Sequence, residues 1–271
     1  MIRKCFTINP ARTIDDIKSY EENLIKTNIF VGCEIFYPYC ASKEQYENYI
    51  QGVKSYLKYP DFEIVCHLPY GRENNLASYH NIDIILERLY KAIDFASMFN
   101  VKKLTLHPGE LDGSLSREEA TKLSIENVKK LSTYAKKYGM TIMIENLVGN
   151  QELCLTKEEM KAYLDSFDNK EVKLIFDCGH CNVTNGVEKS PINEFVVYLK
   201  DYLYHLHISD NNGQTDQHQK IGTGNIDFIS YLQTLKDLDY KGLYSFEVLF
   251  NNYHDLINTA NQLDEIGEKV K

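Results

Sequence analysis

The sequence of 271 residues predicts an α/β fold, a (β/α)₈ TIM barrel formed by residues 1–271 as a single domain. Short runs rich in β-branched and aromatic residues alternate with amphipathic helical patterns, eight of each. No Pro/Gly/Ser-rich linker interrupts the alternation. An open doubly wound sheet would also satisfy strict βα alternation, but eight consecutive units in a chain of this length favour the closed barrel.

The predicted strands are nearly continuous apolar runs, which is the pattern of a sheet covered on both faces. In chain order they are Arg3–Asn9, Ile29–Tyr37, Phe62–Leu68, Lys103–His107, Thr141–Asn146, Val172–Asp177, Tyr202–Ser209 and Leu243–Leu249.

The intervening segments have helical spacing and start signals. Apolar residues recur at i, i+3 and i+4 between Ile82 and Phe95 and between Leu123 and Ala135. Ser116 and Thr156 are each followed three residues later by glutamate, and this spacing predicts two capping boxes.

Composition restricts the function classes. Asp and Glu (39) outnumber Lys and Arg (30), giving a net charge of −9 that disfavours broad electrostatic binding of nucleic acid, although a local basic groove could override the sum. No apolar run is long enough to span a membrane, and the N-terminal residues lack the apolar core of a secretory signal. Seven scattered cysteines favour a reduced compartment over a disulfide framework. We therefore expect a cytoplasmic protein; its oligomeric state is left open.

A C-x-x-C spacing at Cys178 and Cys181 has a redox interpretation. Redox chemistry requires the first cysteine to be exposed at a helix N-terminus, early in a thioredoxin-like domain. Here Cys178 directly follows an apolar strand late in the chain, so the redox interpretation is disfavoured.

Six successive predicted strands, the third to the eighth, carry a polar residue near the C-terminal end, where the catalytic residues of barrels lie. Any one alone would more often be a solvated or paired side chain. Several carboxylates buried together would repel one another unless a cation joined them, so the pattern predicts a divalent-metal site. His205 points the same way as His207 but one layer deeper, which predicts a core residue. The six residues are His67, His107, Glu145, Asp177, His207 and Glu247.

Three further residues are candidates for the same site. His180 follows Asp177 by three residues, in the predicted loop after that strand, and Asp216 and His218 lie in the loop after the seventh strand. Polar residues of this kind are also common turn formers, so a purely structural role remains an alternative.

Several motifs together resemble those of the xylose-isomerase-like barrels, which include sugar epimerases and endonuclease IV, and the resemblance covers nearly the full length. The motifs are H-L-P-Y at 67–70, H-P-G at 107–109, I-E-N-L at 144–147, F-D-C-G-H at 176–180, H-I-S-D-N at 207–211, D-Q-H-x-x-I-G-x-G-x-I from 216 and F-E-V at 246–248.

Resemblance to the epimerase branch implies one Zn, Mn, Mg or Co ion and a small carbohydrate substrate, a sugar or sugar phosphate. Glu145 and Glu247 would be the acid–base pair, and His180 would contact a substrate oxygen, while the metal polarises the reacting oxygens. The implied metal ligands are Glu145, Asp177, His207 and Glu247.

Resemblance to endonuclease IV implies instead up to three zinc ions and hydrolysis of a phosphodiester at an abasic site. The implied ligand groups are His67, His107 and bridging Glu145; Glu145, Asp177, His207 and Glu247; and His180, Asp216 and His218. The acidic net charge, the absence of a Gly-x-His start and the D-C-G-H-x-N pattern favour the sugar branch. A metal-binding barrel without catalysis is the third hypothesis.

Overall fold

The computed structural model describes residues 2–185 and 191–270, and its eight parallel strands form a closed barrel. Neighbouring strands pair in chain order and β8 pairs with β1, so the predicted fold class is confirmed. That residues 1–271 form a single domain stays a prediction. The strands are β1 (Lys4–Ile8), β2 (Gly32–Phe36), β3 (Glu63–His67), β4 (Lys103–Leu106), β5 (Thr141–Glu145), β6 (Lys173–Asp177), β7 (Leu203–Ile208) and β8 (Tyr244–Phe246).

The helices surround this barrel. Within the described residues they are α1 (Ile14–Tyr20), α2 (Lys43–Lys54), α3 (Ile82–Ser97), α4 (Arg117–Ala135), α5 (Lys157–Asp165), α6 (Cys178–Asn185), α7 (Pro191–Tyr198), α8 (Phe228–Asp237) and α9 (Tyr253–Gly267). The predicted count of eight helices is wrong, because two helices, α6 and α7, lie between β6 and β7. None of the described helices is long and apolar enough to cross a membrane.

The extra helix α6 begins immediately after β6 because Asp177 caps it. The Asp177 Oδ1 atom accepts the backbone N–H of His180 at 2.7 Å, which satisfies one of the free donors of the first helical turn. His180 therefore lies in the first turn of a helix, and its prediction as a loop residue is wrong.

One of the two predicted capping boxes is complete. Ser116 accepts the N–H of Glu119, and the Glu119 carboxylate accepts the N–H of Ser116 at 2.9 Å. At the start of α5 the Thr156 hydroxyl accepts the N–H of Glu159, but the Glu159 carboxylate reaches one residue further back, to the N–H of Leu155 at 3.0 Å. The predicted hydrogen bond from the N–H of Thr156 to the Glu159 carboxylate is therefore wrong.

Part of the barrel interior below the strand ends is apolar. Val65, Met143 and Ile175 form a buried cluster with Cys5 and Leu243. The first three lie two residues before polar residues at the ends of β3, β5 and β6, so both sets point into the barrel by strand alternation. The polar ends of β3, β5 and β6 thus lie above apolar side chains.

Candidate metal centre

The structure brings all nine candidate site residues together at the C-terminal face of the barrel. They form three clusters in which one possible ligand atom per residue lies within 4.8 Å of every other, and Glu145 belongs to two of them. That these residues bind metal stays a prediction. We call the three clusters the flanking histidine cluster (His67, His107 and Glu145), the central cluster (Glu145, Asp177, His207 and Glu247) and the outer cluster (His180, Asp216 and His218).

The central cluster is built around the imidazole of His207. Its Nδ1 atom lies 2.9 Å from Glu145 Oε1 and 3.2 Å from Glu247 Oε2. Asp177 Oδ2 lies further away, at 3.9 Å. Three carboxylates from three strand ends thus converge on one buried nitrogen.

The other two clusters flank this centre. In the flanking histidine cluster, the Nε2 atoms of His67 and His107 lie 3.5 and 3.2 Å from Glu145 Oε2. In the outer cluster, Asp216 Oδ2 lies 2.9 Å from His218 Nε2 and 3.3 Å from His180 Nε2. A carboxylate oxygen is therefore the centre of each flanking group.

Three of the histidines have their rings held by the backbone. Nδ1 of each ring donates to a carbonyl oxygen, which can only accept, so Nε2 is the nitrogen left free for a ligand. This is the usual arrangement of metal-binding histidines. The pairs are His67 with Leu68 (2.8 Å), His180 with Asn146 (2.9 Å) and His218 with Glu247 (2.9 Å).

Burial and mutual charge shift the ionisation of the site residues. Burial raises the pKa of Asp177 to about 7, and the carboxylates of Glu247 and Glu145 act in the same direction. Burial also opposes ionisation of Glu145, but the histidines His207, His107 and His67 outweigh it and hold the pKa of Glu145 well below its usual value. The ionisation of each of these carboxylates therefore depends on the charges of the neighbouring histidines and carboxylates.

The donor set fits a divalent cation. In the part of the chain that the structure describes, four buried carboxylate oxygens have no hydrogen-bond partner, and all four belong to the candidate ligands. Leaving buried carboxylate oxygens without a partner is costly, and a cation would remove that cost. Mixed carboxylate and imidazole donors suit Zn, Mn or Co ions. The four atoms are Glu145 Oε2, Asp177 Oδ2, Asp216 Oδ1 and Glu247 Oε2.

A cavity of about 470 Å³ opens beside the flanking histidine cluster. His67 belongs to both, and the ring of Tyr70 lies 4.9 Å, centroid to centroid, from those of His67 and His107. Aromatic walls with a few polar groups are typical of small-molecule sites. Its other aromatic and charged lining residues are Phe36, Tyr37, Tyr39 and Glu73.

The loop that carries Asp216 and His218 is held by Asp210, which sequence reasoning missed. Its Oδ2 atom accepts the N–H groups of Gly222 and Gly224 at 2.9 and 2.8 Å. His218 has a φ of 46°, a left-handed conformation that is unfavourable for most side chains and is often found at functional sites. The D of the H-I-S-D-N motif was the available signal for Asp210.

Glu34 on β2 was also missed. It is fully buried and its Oε2 atom accepts a hydrogen bond from His207 Nε2 at 2.8 Å. The signal was a charged residue inside the apolar run V-G-C-E-I-F, yet it precedes the strand end by two residues, so the strand-end pattern does not include it.

The C-x-x-C spacing does not form an exposed redox pair. Cys178 and Cys181 are both buried, and the Cys178 Sγ atom lies 3.5 Å from the carbonyl oxygen of Ser209. Burial raises the pKa of the Cys178 thiol well above its usual value, the opposite of what a reactive thiolate needs.

Comparison with known proteins identifies the family. Residues 29–266 match the xylose isomerase-like TIM barrel family, and the chain therefore belongs to it. A probable endonuclease 4 of Metamycoplasma arthritidis is 27% identical over 214 residues, which are 75% of each chain. An L-ribulose 3-epimerase of Methylomonas sp. is 32% identical over 142 residues, 51% of this chain and 46% of that one. A solved D-tagatose 3-epimerase-like protein has a TM-score of 0.80 at 29% identity and covers 98% of this chain and 97% of its own.

The Glu110–Glu152 pair near the site gives a testable pH dependence. These residues form an isolated antiparallel bridge, and burial, then the Glu110 carboxylate, raise the pKa of Glu152 to about 7. A raised pKa means that the folded state loses stability as pH rises from about 4 through 7. Glu152→Gln should therefore stabilise the metal-free protein by about 1–2 kcal/mol at pH 8, allowing for solvent screening, and by less at pH 5.

Urea unfolding of the two proteins at both pH values measures this difference. The exposed residue Glu158 offers a matched control, since Glu158→Gln should change stability little at either pH. An equal effect of Glu152→Gln at pH 5 and pH 8 would contradict the predicted coupling.

Proposed function

We propose that this protein is a divalent-metal-dependent sugar isomerase or epimerase in which Glu145 and Glu247 are the acid–base pair. One observation carries the proposal: these two carboxylates approach the same buried nitrogen of His207, at 2.9 and 3.2 Å. Paired carboxylates beside a cation site suit proton transfer at a carbon next to a carbonyl. The similarity to sugar epimerases supports the same chemistry.

The central cluster (Glu145, Asp177, His207 and Glu247) would hold the catalytic ion. When bound, a divalent cation there would polarise the carbonyl and hydroxyl oxygens of the sugar and acidify the adjacent C–H bond. The mixture of carboxylate and imidazole donors suits Zn, Mn or Co, and the three carboxylates also suit Mg.

The remaining chemistry belongs to the protein's own side chains. Burial opposes ionisation of Glu247, but His207 outweighs this effect and lowers the pKa of Glu247. The pKa of Glu145 is held well below its usual value. Both carboxylates are therefore ionised near neutral pH and able to accept a proton. In the proposed reaction one carboxylate removes the proton from a carbinol carbon, and the other, after taking up a proton from solvent, delivers it to the opposite face. His180, whose Nδ1 lies 3.5 Å from Glu145 Oε1, would contact a substrate oxygen.

The cavity beside His67 favours an unphosphorylated sugar. Among the residues described, its lining contains the carboxylate of Glu73 and no lysine or arginine. A phosphate group in a protein site is usually held by Arg, Lys or a helix N-terminus. The tyrosine hydroxyls and aromatic faces are instead suited to a neutral polyol.

The proposal is tested by following ketopentoses, ketohexoses and their phosphates in deuterium oxide by NMR, with protein reconstituted separately with Mn²⁺, Co²⁺ and Zn²⁺. We expect conversion of an unphosphorylated sugar with deuterium entering the reacting carbon, and at least ~10-fold lower kcat/KM for its phosphate, since an unpaired phosphate loses charge-assisted hydrogen bonds. Conversion without deuterium would exclude the acid–base pair, and preference for phosphates would exclude the substrate assignment. Metal-stripped protein is the control.

Abasic-site phosphodiester hydrolysis is the second candidate, and the flanking histidine and outer clusters favour it. Together with the central cluster they supply the donors for three ions, and the similarity to a probable endonuclease 4 points the same way. Metal content near three per chain and chelator-sensitive cleavage of a duplex with one abasic site would establish this function. No cleavage at low salt would count against it. The cavity beside His67 disfavours a non-catalytic metal-binding barrel.

A further inference from the structure

Glu34 is a fully buried carboxylate with a complete set of hydrogen bonds. Its Oε1 atom accepts the hydroxyl of Thr105 at 2.7 Å, and its Oε2 atom accepts the hydroxyl of Ser245 at 2.8 Å. Oε2 also lies 2.8 Å from His207 Nε2. Because both oxygens of Glu34 accept hydroxyl hydrogen bonds, Glu34 acts as an acceptor throughout and His207 Nε2 is the donor of the third contact.

Glu34 occupies the layer directly beneath the candidate metal centre. Its neighbours Thr105 and Ser245 each lie two residues before a candidate ligand, on β4 and β8, and point into the barrel as those ligands do. His205, which lies two residues before His207, is fully buried, as predicted for a core residue. This polar layer therefore supports the ring of ligands from inside the barrel.

His207 is oriented in the opposite sense to the other histidines of the site. His67, His180 and His218 donate from Nδ1 to backbone carbonyls and present Nε2. His207 instead presents Nδ1 to Glu145 and donates from Nε2. The carbonyl partner of the other rings is replaced here by the carboxylate of Glu34.

We propose that Glu34 is the positioning residue of the metal centre: it keeps a proton of His207 on Nε2, so that Nδ1 is the nitrogen that binds the ion of the central cluster. This inference rests on the proposed metal site and not on the identity of the sugar. A carboxylate that accepts from the second nitrogen of a metal-binding histidine fixes both the tautomer and the ring orientation.

Glu34 is better suited to this role than to being a ligand of a separate ion with His205 and His207. The three residues are close enough to be considered, since their possible ligand atoms lie within 4.8 Å. However, both oxygens of Glu34 already accept hydroxyl hydrogen bonds. His205 Nε2 lies 3.7 Å from Glu34 Oε2, and a separate ion would remove the His207 Nε2 proton that makes the 2.8 Å contact with Glu34.

The first test measures Zn²⁺ affinity of the metal-stripped protein by competition with a chromophoric chelator. Glu34→Gln should lower the Zn²⁺ affinity of the central cluster by about 10–100-fold, the usual effect of losing the hydrogen-bond acceptor of a metal-binding histidine. Thr105→Val is the matched control: it removes the hydroxyl that Glu34 Oε1 accepts, leaves the contact between Glu34 Oε2 and His207 Nε2 in place, and should weaken binding much less than Glu34→Gln. Circular dichroism checks that both variants are folded. Equal Zn²⁺ affinity of folded Glu34→Gln and wild type would overturn the proposal.

The second test needs no variant. Nitrogen-15 NMR of the histidine rings in the Zn²⁺-loaded wild type should place the proton of His207 on Nε2 and the metal on Nδ1. The reverse assignment would overturn the role of Glu34 while leaving the proposed sugar chemistry intact. A wild-type protein that binds no Zn²⁺, Mn²⁺ or Co²⁺ would instead overturn both the proposed function and this inference.

Discussion

Replacement of Glu145 by glutamine is expected to lower turnover of the proposed sugar substrate by at least about 10²–10⁴-fold, the usual contribution of a positioned acid or base. The loss of turnover should be larger than for the other candidate metal ligands, because Glu145 belongs to both the central and the flanking histidine clusters. Its Oε1 atom faces His207, and its Oε2 atom faces His67 and His107. The substitution therefore removes a proton acceptor and a shared ligand together.

Glu247→Gln separates these two roles. Glu247 belongs to the central cluster only. Three of the four candidate ligands of that cluster therefore remain in the variant, and much of the metal should be retained. We expect deuterium exchange at the reacting carbon to fall by about 10²–10⁴-fold while metal content changes little. The measurements are kcat and metal per chain for both variants, with Glu158→Gln as the exposed control. If Glu145→Gln kept turnover within tenfold of wild type, the acid–base assignment would fail.

Removal of metal is expected to destabilise the protein, and by more as pH rises. Burial raises the pKa of Asp177 to about 7. The metal-free protein therefore loses stability through this residue as pH rises from about 4 through 7. Burial opposes protonation of His218, but Asp216 outweighs it and raises the pKa of His218 to about 9. Its contribution is fully present below about 6.5 and is lost as pH rises through about 9. Both effects weaken the metal-free protein between pH 6 and pH 9.

Metal binding has the opposite pH dependence, since the ligands must release their protons before they bind. At an ion concentration about 1,000 times the Kd we expect stabilisation of about 4 kcal/mol, or a rise in Tm of roughly 10 °C for a chain of this size. Calorimetry at pH 6, 7 and 8, with chelator or with Zn²⁺, measures the difference. A Tm unaffected by Zn²⁺, or a metal-free protein that is more stable at pH 8 than at pH 6, would contradict this prediction.

The strand-end residues were predictable because a barrel obeys a simple geometric rule. Parallel strands of similar length bring their C-terminal ends to one face, so a polar residue ending each apolar run, such as His67 or Asp177, predicts a common site. The residues after the strands were harder to place. His180 lies in a helix because the carboxylate of Asp177 caps it, and that capping depends on a backbone angle that the residue pattern does not specify.

Glu34 could not be found in the same way, because its importance comes from partners far away in sequence. Thr105 and Ser245 are 71 and 211 residues from it, and they meet it only when β2, β4 and β8 are joined in one closed barrel. A buried glutamate in an apolar strand has many possible partners, and period-two alternation shows only that it points inward or outward.

The sequence by itself determined the barrel, its apolar interior and the nine residues of the candidate metal centre, because periodicity and strand ends are local properties of the chain. The tertiary structure decided the distances within the three clusters, the contacts of Glu34 and which nitrogen each histidine presents. Those features depend on hydrogen bonds between strands that are distant in sequence. They also depend on burial, because a buried carboxylate oxygen without a partner is costly.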